Sequence, residues 1–282
     1  MCPFLHLART TANYAIIDAT RTERNAVLHI VDLGGADPEL LLLRLFAKRP
    51  GAGAHEQILH VTIVNEEDEF LSVTGALLAR EAKSLHIGFH FHPVKLQINQ
   101  LLSIDPSVSG AAKHWSSSPA ATMTRADALL HDLAKLSPKL MVVTEQEVNH
   151  NGEFTALFEN ALNYYVALFD ALEESVPARG SVMERADVER CLLLQEIRDI
   201  VAYDGAQRRE RHERMGKWAE RMKAAGFTSA AMSADAVAQT VMLGQMVTGC
   251  SKAYRVSSEK DVCFFIHWRD IPMFSVLTWR AV

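Results

Sequence analysis

The sequence predicts an α/β protein whose mainly parallel sheet is flanked by helices and followed by a C-terminal antiparallel meander. In the first third of the chain, three apolar runs of strand length alternate with helical stretches, which is the pattern of parallel βαβ units. Near the C-terminus, short strand-like runs over 254–256, 262–268 and 273–279 are separated by charged turns. A chain of 282 residues, of which 49% are apolar, is long enough to bury a sizeable core.

The elements of the first third follow one another in βαβ order. Helical spacing of apolar residues predicts a lead-in helix over 4–20. Strands are predicted over 27–35, 58–64 and 88–94, and the helices between them over 39–48 and 70–85. Leu71, Leu78 and Leu85 recur every seven residues, which fits a short coiled-coil seam. The same spacing serves a helix packed on a sheet, and we favour that interpretation.

The second half of the chain is predicted to be mostly helical. A segment rich in Ser, Ala and Pro over 105–124 is predicted to be a loop, followed by a helix over 125–136 and a buried strand over 140–145. The remaining helices are predicted over 154–173, 183–202, 208–225 and 233–247. Ser233 is the expected N-cap of the last helix, and Gly226 is expected to end the helix before it.

The composition excludes several classes of protein. A formal charge of −5 and a pI of about 6.2 suit protein or small-molecule partners better than direct DNA binding through phosphate contacts. The four cysteines are far apart and form no CxxC pair, which argues against a zinc ribbon and a secreted disulfide framework. We expect no signal peptide, because Arg9 and Asn13 interrupt any apolar stretch, and no membrane span.

The turn after the first strand is the strongest candidate for a cofactor site. S-adenosylmethionine and dinucleotide sites need glycines that let the backbone approach the ligand and open a helix N-terminus towards it. Asp32, Gly34 and Gly35 fit the start of such a loop, and Glu66 follows the next strand, where a ribose would be held. Pro38 lacks the N–H that the helix should offer. A purely structural turn is therefore the favoured interpretation, and a working cofactor site is the alternative.

Two further groups of residues could carry chemistry. His90 and His92 lie two apart on a strand and share a face, which could bind zinc if a third ligand lay nearby. Glu145 and Glu147, with His150, follow a buried strand and could form a paired-carboxylate general base. In both cases we favour the simpler interpretation: an exposed or half-buried strand face for the histidines and a hydrogen-bonded structural loop for the carboxylates.

The segment 208–214 is highly charged. On a helix, Arg209 would pair with Glu213, and Glu210 with Arg214, at the i,i+4 spacing. A solvated, self-paired helix face is the favoured interpretation, and a partner-binding face is the alternative. The interleaved acidic residues argue against nucleic-acid binding. No P-loop, G-x-S-x-G, H-E-x-x-H or Cys/His nucleophile pattern is present.

Several motifs, in the same order along the chain, resemble those of the GRAS family of plant regulators. Residues 28–32 are similar to the VHIID motif of that family, 70–93 to its second leucine-rich region, and 137–152 to the start of its PFYRE region. The C-terminus resembles the SAW motif. The resemblance marks ten motif or interaction positions: His29, Asp32, Glu145, Tyr165, Glu196, Arg211, Glu213, Trp218, Trp268 and Trp279.

The resemblance also implies a domain organisation. The chain corresponds to a single partial GRAS domain over 1–282, which lacks the N-terminal leucine-rich region of the family. Within it, the parts are a lead-in helix over 1–26, the VHIID and second leucine-rich regions over 27–104, a loop over 105–124, a PFYRE-like region over 125–232 and a SAW-like region over 233–282. The segment 110–116 stands where the family usually has another strand.

The fold and function that the resemblance implies are those of a nuclear regulator without catalysis. The expected scaffold is Rossmann-like and related to methyltransferases, with neither cofactor nor metal. The residues at 144–146 and 208–213 are similar to those of the scarecrow-like branch, which acts with DELLA repressors in gibberellin signalling and root development. The implied partners are zinc-finger transcription factors and DELLA or other GRAS proteins, so that contact with specific DNA is indirect. The alternative is an S-adenosylmethionine-dependent methyltransferase with a degenerate cofactor loop.

Overall fold

The computed structural model describes residues 3–21, 27–34, 40–48, 58–96, 125–175, 186, 189–204, 207–247, 253–260 and 262–282. The chain divides into two compact units, which are described one at a time. The parallel unit comprises residues 19–138, and the antiparallel unit comprises residues 1–18 and 139–282. The predicted loop over 105–124 and the segment 110–116 lie outside the described residues.

Most elements follow the sequence prediction in order and position. The helices are α1 (Pro3–Thr20), α2 (Leu40–Ala47), α3 (Asp68–Ser84), α4 (Arg125–Lys135), α5 (Phe154–Ser175), α6 (Leu194–Ala202), α7 (Met215–Ala224) and α8 (Ala234–Val247). A π-helical turn, Glu189–Leu193, leads into α6. The strands are β1 (Val27–Asp32), β2 (Ile58–Asn65), β3 (Gly88–Lys95), β4 (Met141–Gln146), β5 (Phe227–Ser229), β6 (Tyr254–Glu259), β7 (Cys263–Trp268) and β8 (Ile271–Ala281).

In the parallel unit, β1, β2 and β3 form a parallel sheet in that order. One face carries the apolar residues of alternate positions, of which Leu59, Val61 and Ile63 on β2 are almost fully buried. The helix α3 buries Leu71 and Leu78. The core-packing interpretation of the leucine repeat is therefore confirmed for these two residues, while the third leucine follows the end of the helix.

The contact between α3 and β3 depends on the absence of a side chain at Gly75. A Cβ atom at this position would lie 2.6 Å from the ring of Phe91. We expect Gly75→Ala to lower the free energy of unfolding by about 1–2 kcal/mol, because overpacking outweighs the higher helix propensity of alanine. Gly216→Ala, in the first turn of α7 with open space around it, is expected to be neutral or stabilising by up to about 1 kcal/mol. Urea unfolding of both variants measures the difference, and equal effects would contradict this account.

In the antiparallel unit, β4, β8, β7 and β6 form a sheet in that order, and β5 pairs with β8. Residues of α1, α5 and α6 pack with this sheet into a single hydrophobic core. The core includes Phe4, Leu157, Ile200, Phe264 and Val276, each at most 2% exposed. The expected cap of α8 is also present, because the Ser233 hydroxyl accepts the N–H of Ala236 at 3.3 Å.

The mixed α/β class is confirmed, but the expectation of a mainly parallel sheet is wrong for the described strands. Three strands are parallel, whereas β4 to β8 form an antiparallel sheet of five. The long strand β8 is the reason, since it pairs antiparallel with β4, β5 and β7 along its eleven residues. The strand β5 was not predicted, because a three-residue strand leaves no periodic pattern in the sequence.

The helix predicted over 208–225 begins only at Met215. The segment 208–214 is irregular because carboxylates elsewhere in the chain bind its backbone: Asp199 accepts the N–H groups of Arg209 and Glu210 at 2.7 and 2.6 Å. The predicted i,i+4 pairs need a helix and are therefore absent from this segment. Glu213 instead forms a bidentate ion pair with Arg221, with N···O distances of 2.7 and 2.9 Å.

Candidate functional site

The C-terminal end of β4 carries a group of interacting polar side chains. Side chains from β4, α5, α6, the loop after β4 and the segment 207–214 meet there. We call this group the polar cluster: Glu145, Gln146, His150, Tyr165, Glu196, Glu210 and His212. Glu145, His150, Tyr165, Glu196 and Glu210 are singled out by the sequence, whereas Gln146 and His212 stand in its motif segments 144–146 and 208–213 without a role of their own.

Glu196 is the acceptor at the centre of one half of the cluster. Its Oε1 atom accepts the hydroxyl of Tyr165 at 2.6 Å and the side-chain amide of Gln146 at 2.7 Å. Burial and the neighbouring Glu196 raise the pKa of Tyr165, which keeps its hydroxyl protonated as the donor. These contacts tie β4, α5 and α6 together.

Two histidines form the other half. His150 is fully buried, and its Nδ1 lies 2.9 Å from Nδ1 of His212, so that one ring donates and the other accepts. The ring of His150 also stacks on Tyr165, with centroids 6.1 Å apart. Burial, with the adjacent His212 and Arg208, lowers the pKa of His150 to about 3. Burial also lowers the pKa of His212, so both rings are neutral at ordinary pH and one Nδ1 is free of a proton to accept the hydrogen bond.

Glu145 lies beside this pair with its side chain 18% exposed, and its Oε1 is 3.9 Å from Nε2 of His212. Burial raises the pKa of Glu145 to about 7, although the backbone N–H of Gln146, 2.8 Å from its Oε1, favours the charged form. Burial also raises the pKa of Glu147 and of Glu210. The site thus holds carboxyl groups that are unusually easy to protonate.

The contacts of the cluster and its neighbours fix the backbone of the segment 207–214. Arg208 donates to the carbonyl of His150 at 3.2 Å, and the side chain of Asn151 donates to the carbonyl of His212 at 3.1 Å. At the end of the segment, the Glu147 carboxylate accepts the N–H of Met215 at 3.0 Å. Arg211, an exposed motif residue, takes part through its backbone, since its carbonyl is 3.5 Å from the Asn151 side chain.

The polar groups of the cluster mainly bind other groups of the protein. Its carboxylates and imidazoles hold one another and the backbone of the segment 207–214, and the paired carboxylates Glu145 and Glu147 bind different structural partners. A general base needs an accessible position next to a substrate. The side chain of His212 is only 11% exposed, and His150 has no exposed surface. The arrangement therefore suits the positioning of a surface segment better than catalysis.

Described residues of the predicted cofactor loop form hydrogen bonds within the parallel unit. The Asp32 carboxylate accepts the N–H of Gly34 at 2.8 Å, and the His29 ring is 2.8 Å from the hydroxyl of Thr62. Gly35 lies outside the described residues, and Glu66 is exposed after the end of β2. Asp32 and His29 thus stabilise a turn and a strand pair, which are structural roles.

The face of the parallel sheet opposite α3 carries four histidines. In register, His29, His60 and His90 lie side by side on β1, β2 and β3, and His60 Nδ1 is 2.9 Å from His92 Nε2. The sequence does not show that His29 and His60 lie next to His90 and His92, because this depends on the register of the strands. Even so, no group of three or more His, Cys, Asp or Glu is placed to hold a metal ion within the part of the chain that the structure describes.

The tryptophans of the motif positions lie in different surroundings. Trp268 and Trp279 are 1% and 3% exposed in the antiparallel sheet, and Trp268 donates its indole N–H to Asp170 at 2.8 Å. Trp218 is half-buried on α7 and faces Glu145. The ten motif positions therefore do not form one site: Glu145, Tyr165 and Glu196 belong to the polar cluster, Arg211, Glu213 and Trp218 border it, and the others lie in the core or in the parallel unit.

Comparison with known proteins assigns the chain to one family. The model of the GRAS domain family matches residues 1–280. The GRAS family protein TF80 of Medicago truncatula is 31% identical over 99% of this chain and 76% of its own length. Scarecrow-like protein 3 of Arabidopsis thaliana is 31% identical over 100% of this chain and 71% of its own length. DELLA protein RGL3 of the same plant is 31% identical, and the match covers 54% of its length.

A solved structure agrees with these matches. The crystal structure of SCL7 in Oryza sativa superimposes with a TM-score of 0.79 at 26% identity, over 99% of this chain and 80% of that one. The chain therefore belongs to the GRAS domain family, and scarecrow-like and DELLA proteins of plants are among its relatives. Among the described residues, no helix combines the length and the apolar character needed to cross a membrane.

Proposed function

We propose that this protein is a plant transcriptional co-regulator that works in the nucleus as a non-catalytic interaction scaffold. The observation that carries the proposal is the arrangement of the polar cluster, whose side chains bind one another and the backbone of a charged surface segment, with the rings of His150 and His212 largely buried. The scaffold is taken to be Rossmann-like and related to methyltransferases. Zinc-finger transcription factors and DELLA or other GRAS proteins are the proposed partners, in gibberellin signalling or root development.

A transient reporter assay in plant protoplasts tests the regulatory part of this proposal. The full chain is fused to a heterologous DNA-binding domain, and reporter output is compared with that of the DNA-binding domain alone. We expect a change in output that disappears with Trp268→Ala, a change in the hydrophobic core. Unchanged output with a nuclear, folded fusion protein would contradict the proposal.

The methyltransferase alternative has its own measurement. A ligand that binds only the folded state, at 100 times its Kd, adds about 2.7 kcal/mol to the free energy of unfolding. We expect no shift of the thermal transition of the purified chain in excess S-adenosylmethionine, since Asp32 is occupied by the backbone of its own turn. An upward shift would support the methyltransferase.

A further inference from the structure

The helix α5 is apolar on two sides. Its inner side buries Leu157, Ala161 and Leu168 in the core of the antiparallel unit. Its outer side presents four large apolar residues at successive i+4 positions, which we call the outer stripe: Phe154, Phe158, Leu162 and Val166. Their exposed fractions are 61%, 43%, 52% and 61%. A helix that is apolar nearly all round is normally buried nearly all round.

The outer stripe is continuous. Residues four apart are neighbours on a helix surface, and the rings of Phe154 and Phe158 stack with centroids 5.9 Å apart. Twelve residues of helix span about 18 Å, which is the length of roughly three helical turns of a partner. Single exposed apolar residues need no explanation, but a contiguous row of four marks an interaction surface.

The charge on this helix selects the partner. Between residues 154 and 175 the acidic residues are Glu159, Asp170, Glu173 and Glu174, and there is no Lys, Arg or His. Glu159 is exposed beside the outer stripe, and Glu153 is exposed at its N-terminal end. Two copies of this surface would place acid against acid, and the same charge repels nucleic acid and anionic membranes. A basic protein partner is therefore favoured over a second copy of the chain, nucleic acid and an anionic membrane.

From this geometry and charge, we propose that the outer stripe binds a basic amphipathic helix of a partner protein. The partner lays an apolar face along Phe158 and Leu162, and its Lys or Arg residues pair with the exposed carboxylates of Glu153 and Glu159. This inference rests on the proposed function as an interaction scaffold and specifies the chemistry of one partner.

Fluorescence anisotropy with the full chain and synthetic peptides tests the inference. Three labelled peptides of about 18 residues are used: one with leucines on one helical face and lysines on the other, one with the same leucines and glutamates, and a scrambled leucine–lysine sequence. We expect the amphipathic lysine peptide to bind at least about tenfold more tightly than the other two, because both the apolar face and the positive charge contribute.

Two variants show whether the outer stripe is the binding surface. Leu162→Glu is expected to weaken the lysine peptide by about tenfold or more. Ala156→Glu adds the same charge at an exposed position of the helix outside the outer stripe, and it is expected to retain binding. Both side chains are exposed, so unchanged thermal transitions verify that the variants fold.

Four results would overturn the inference: equal binding of the lysine and glutamate peptides, equal binding to the wild type and Leu162→Glu, no binding of any peptide, or a self-association in sedimentation velocity that Leu162→Glu abolishes. The last result would identify a second copy of the chain as the occupant. The reporter assay separates this failure from failure of the proposed function, because regulation through another surface would survive Leu162→Glu.

Discussion

Replacing Trp268 by alanine is expected to lower the free energy of unfolding by about 3–5 kcal/mol, a large part of the stability of a typical domain. Trp268 is 1% exposed at the end of β7, and its ring makes an edge contact with Tyr254 at a centroid distance of 4.9 Å. Its indole N–H also donates to Asp170 on α5 at 2.8 Å. Alanine removes the ring and leaves a cavity between the sheet and the helix.

Urea unfolding followed by circular dichroism measures this loss. Trp268→Phe keeps much of the buried ring and should cost markedly less, because Asp170 is partly exposed and also lies 3.1 Å from Arg269. Leu136→Ala, at a largely exposed position, should change the stability by no more than about 0.5 kcal/mol. Similar losses for all three variants would show that Trp268 does not anchor the core.

The elements that sequence reasoning placed well are those that carry a local pattern. Apolar periodicity predicts β2, α3 and β3 to within two residues at each end, because burial of one face produces a regular alternation of residue types. The antiparallel meander was predicted from short apolar runs between charged turns. In both regions, neighbours along the chain are also neighbours in space.

The pairing of β4 and the shape of 208–214 could not be predicted in the same way. The partner of β4 is β8, more than a hundred residues later in the chain, so no local pattern specifies it. The helical propensity and charge spacing of 208–214 predict a helix. The Asp199 carboxylate overrides this tendency by binding the N–H groups of Arg209 and Glu210. Tertiary contacts of this kind outweigh propensities of a few tenths of a kcal/mol per residue.

The candidate site was predicted only in part, and for a related reason. Glu145, Tyr165 and Glu196 were identified through the resemblance of motifs. Gln146 and His212 join them only when β4, α5, α6 and the segment 207–214 come together. His60 likewise gained significance from the strand register, which places it between His29 and His90. The sequence shows which residue types are present, but only the fold shows which of these side chains lie together.

Glu145→Gln is expected to change how stability depends on pH. Burial raises the pKa of this carboxyl from 4.5 to about 7, so between these values the folded state holds a proton that the unfolded state has lost. The contribution of Glu145 protonation to the free energy of unfolding is fully present below pH 4.5 and is lost as the pH rises towards 7. Over this window the loss is roughly 3 kcal/mol. Glutamine is uncharged, so the variant should gain about that much over the wild type at pH 8.

His150 gives the opposite slope. Its pKa is lowered from 6.5 to about 3, so its contribution to stability is present above pH 6.5 and is lost as the pH falls through this range. The wild-type curve contains both effects, as well as those of Glu147, Glu210 and His212, which also surround the site. The difference between Glu145→Gln and the wild type at each pH removes the groups that the two proteins share.

Urea midpoints at several values between pH 5 and 8 measure that difference. Glu220→Gln is the matched control, because Lys217 lowers the pKa of this exposed carboxyl and its titration falls below the measured range. We expect the advantage of Glu145→Gln to grow with pH and then level off above pH 7, while that of Glu220→Gln stays constant. A constant advantage for both variants would mean that Glu145 is charged throughout. In that case the carboxylate itself, which accepts the backbone N–H of Gln146, would be the form that positions the segment 207–214.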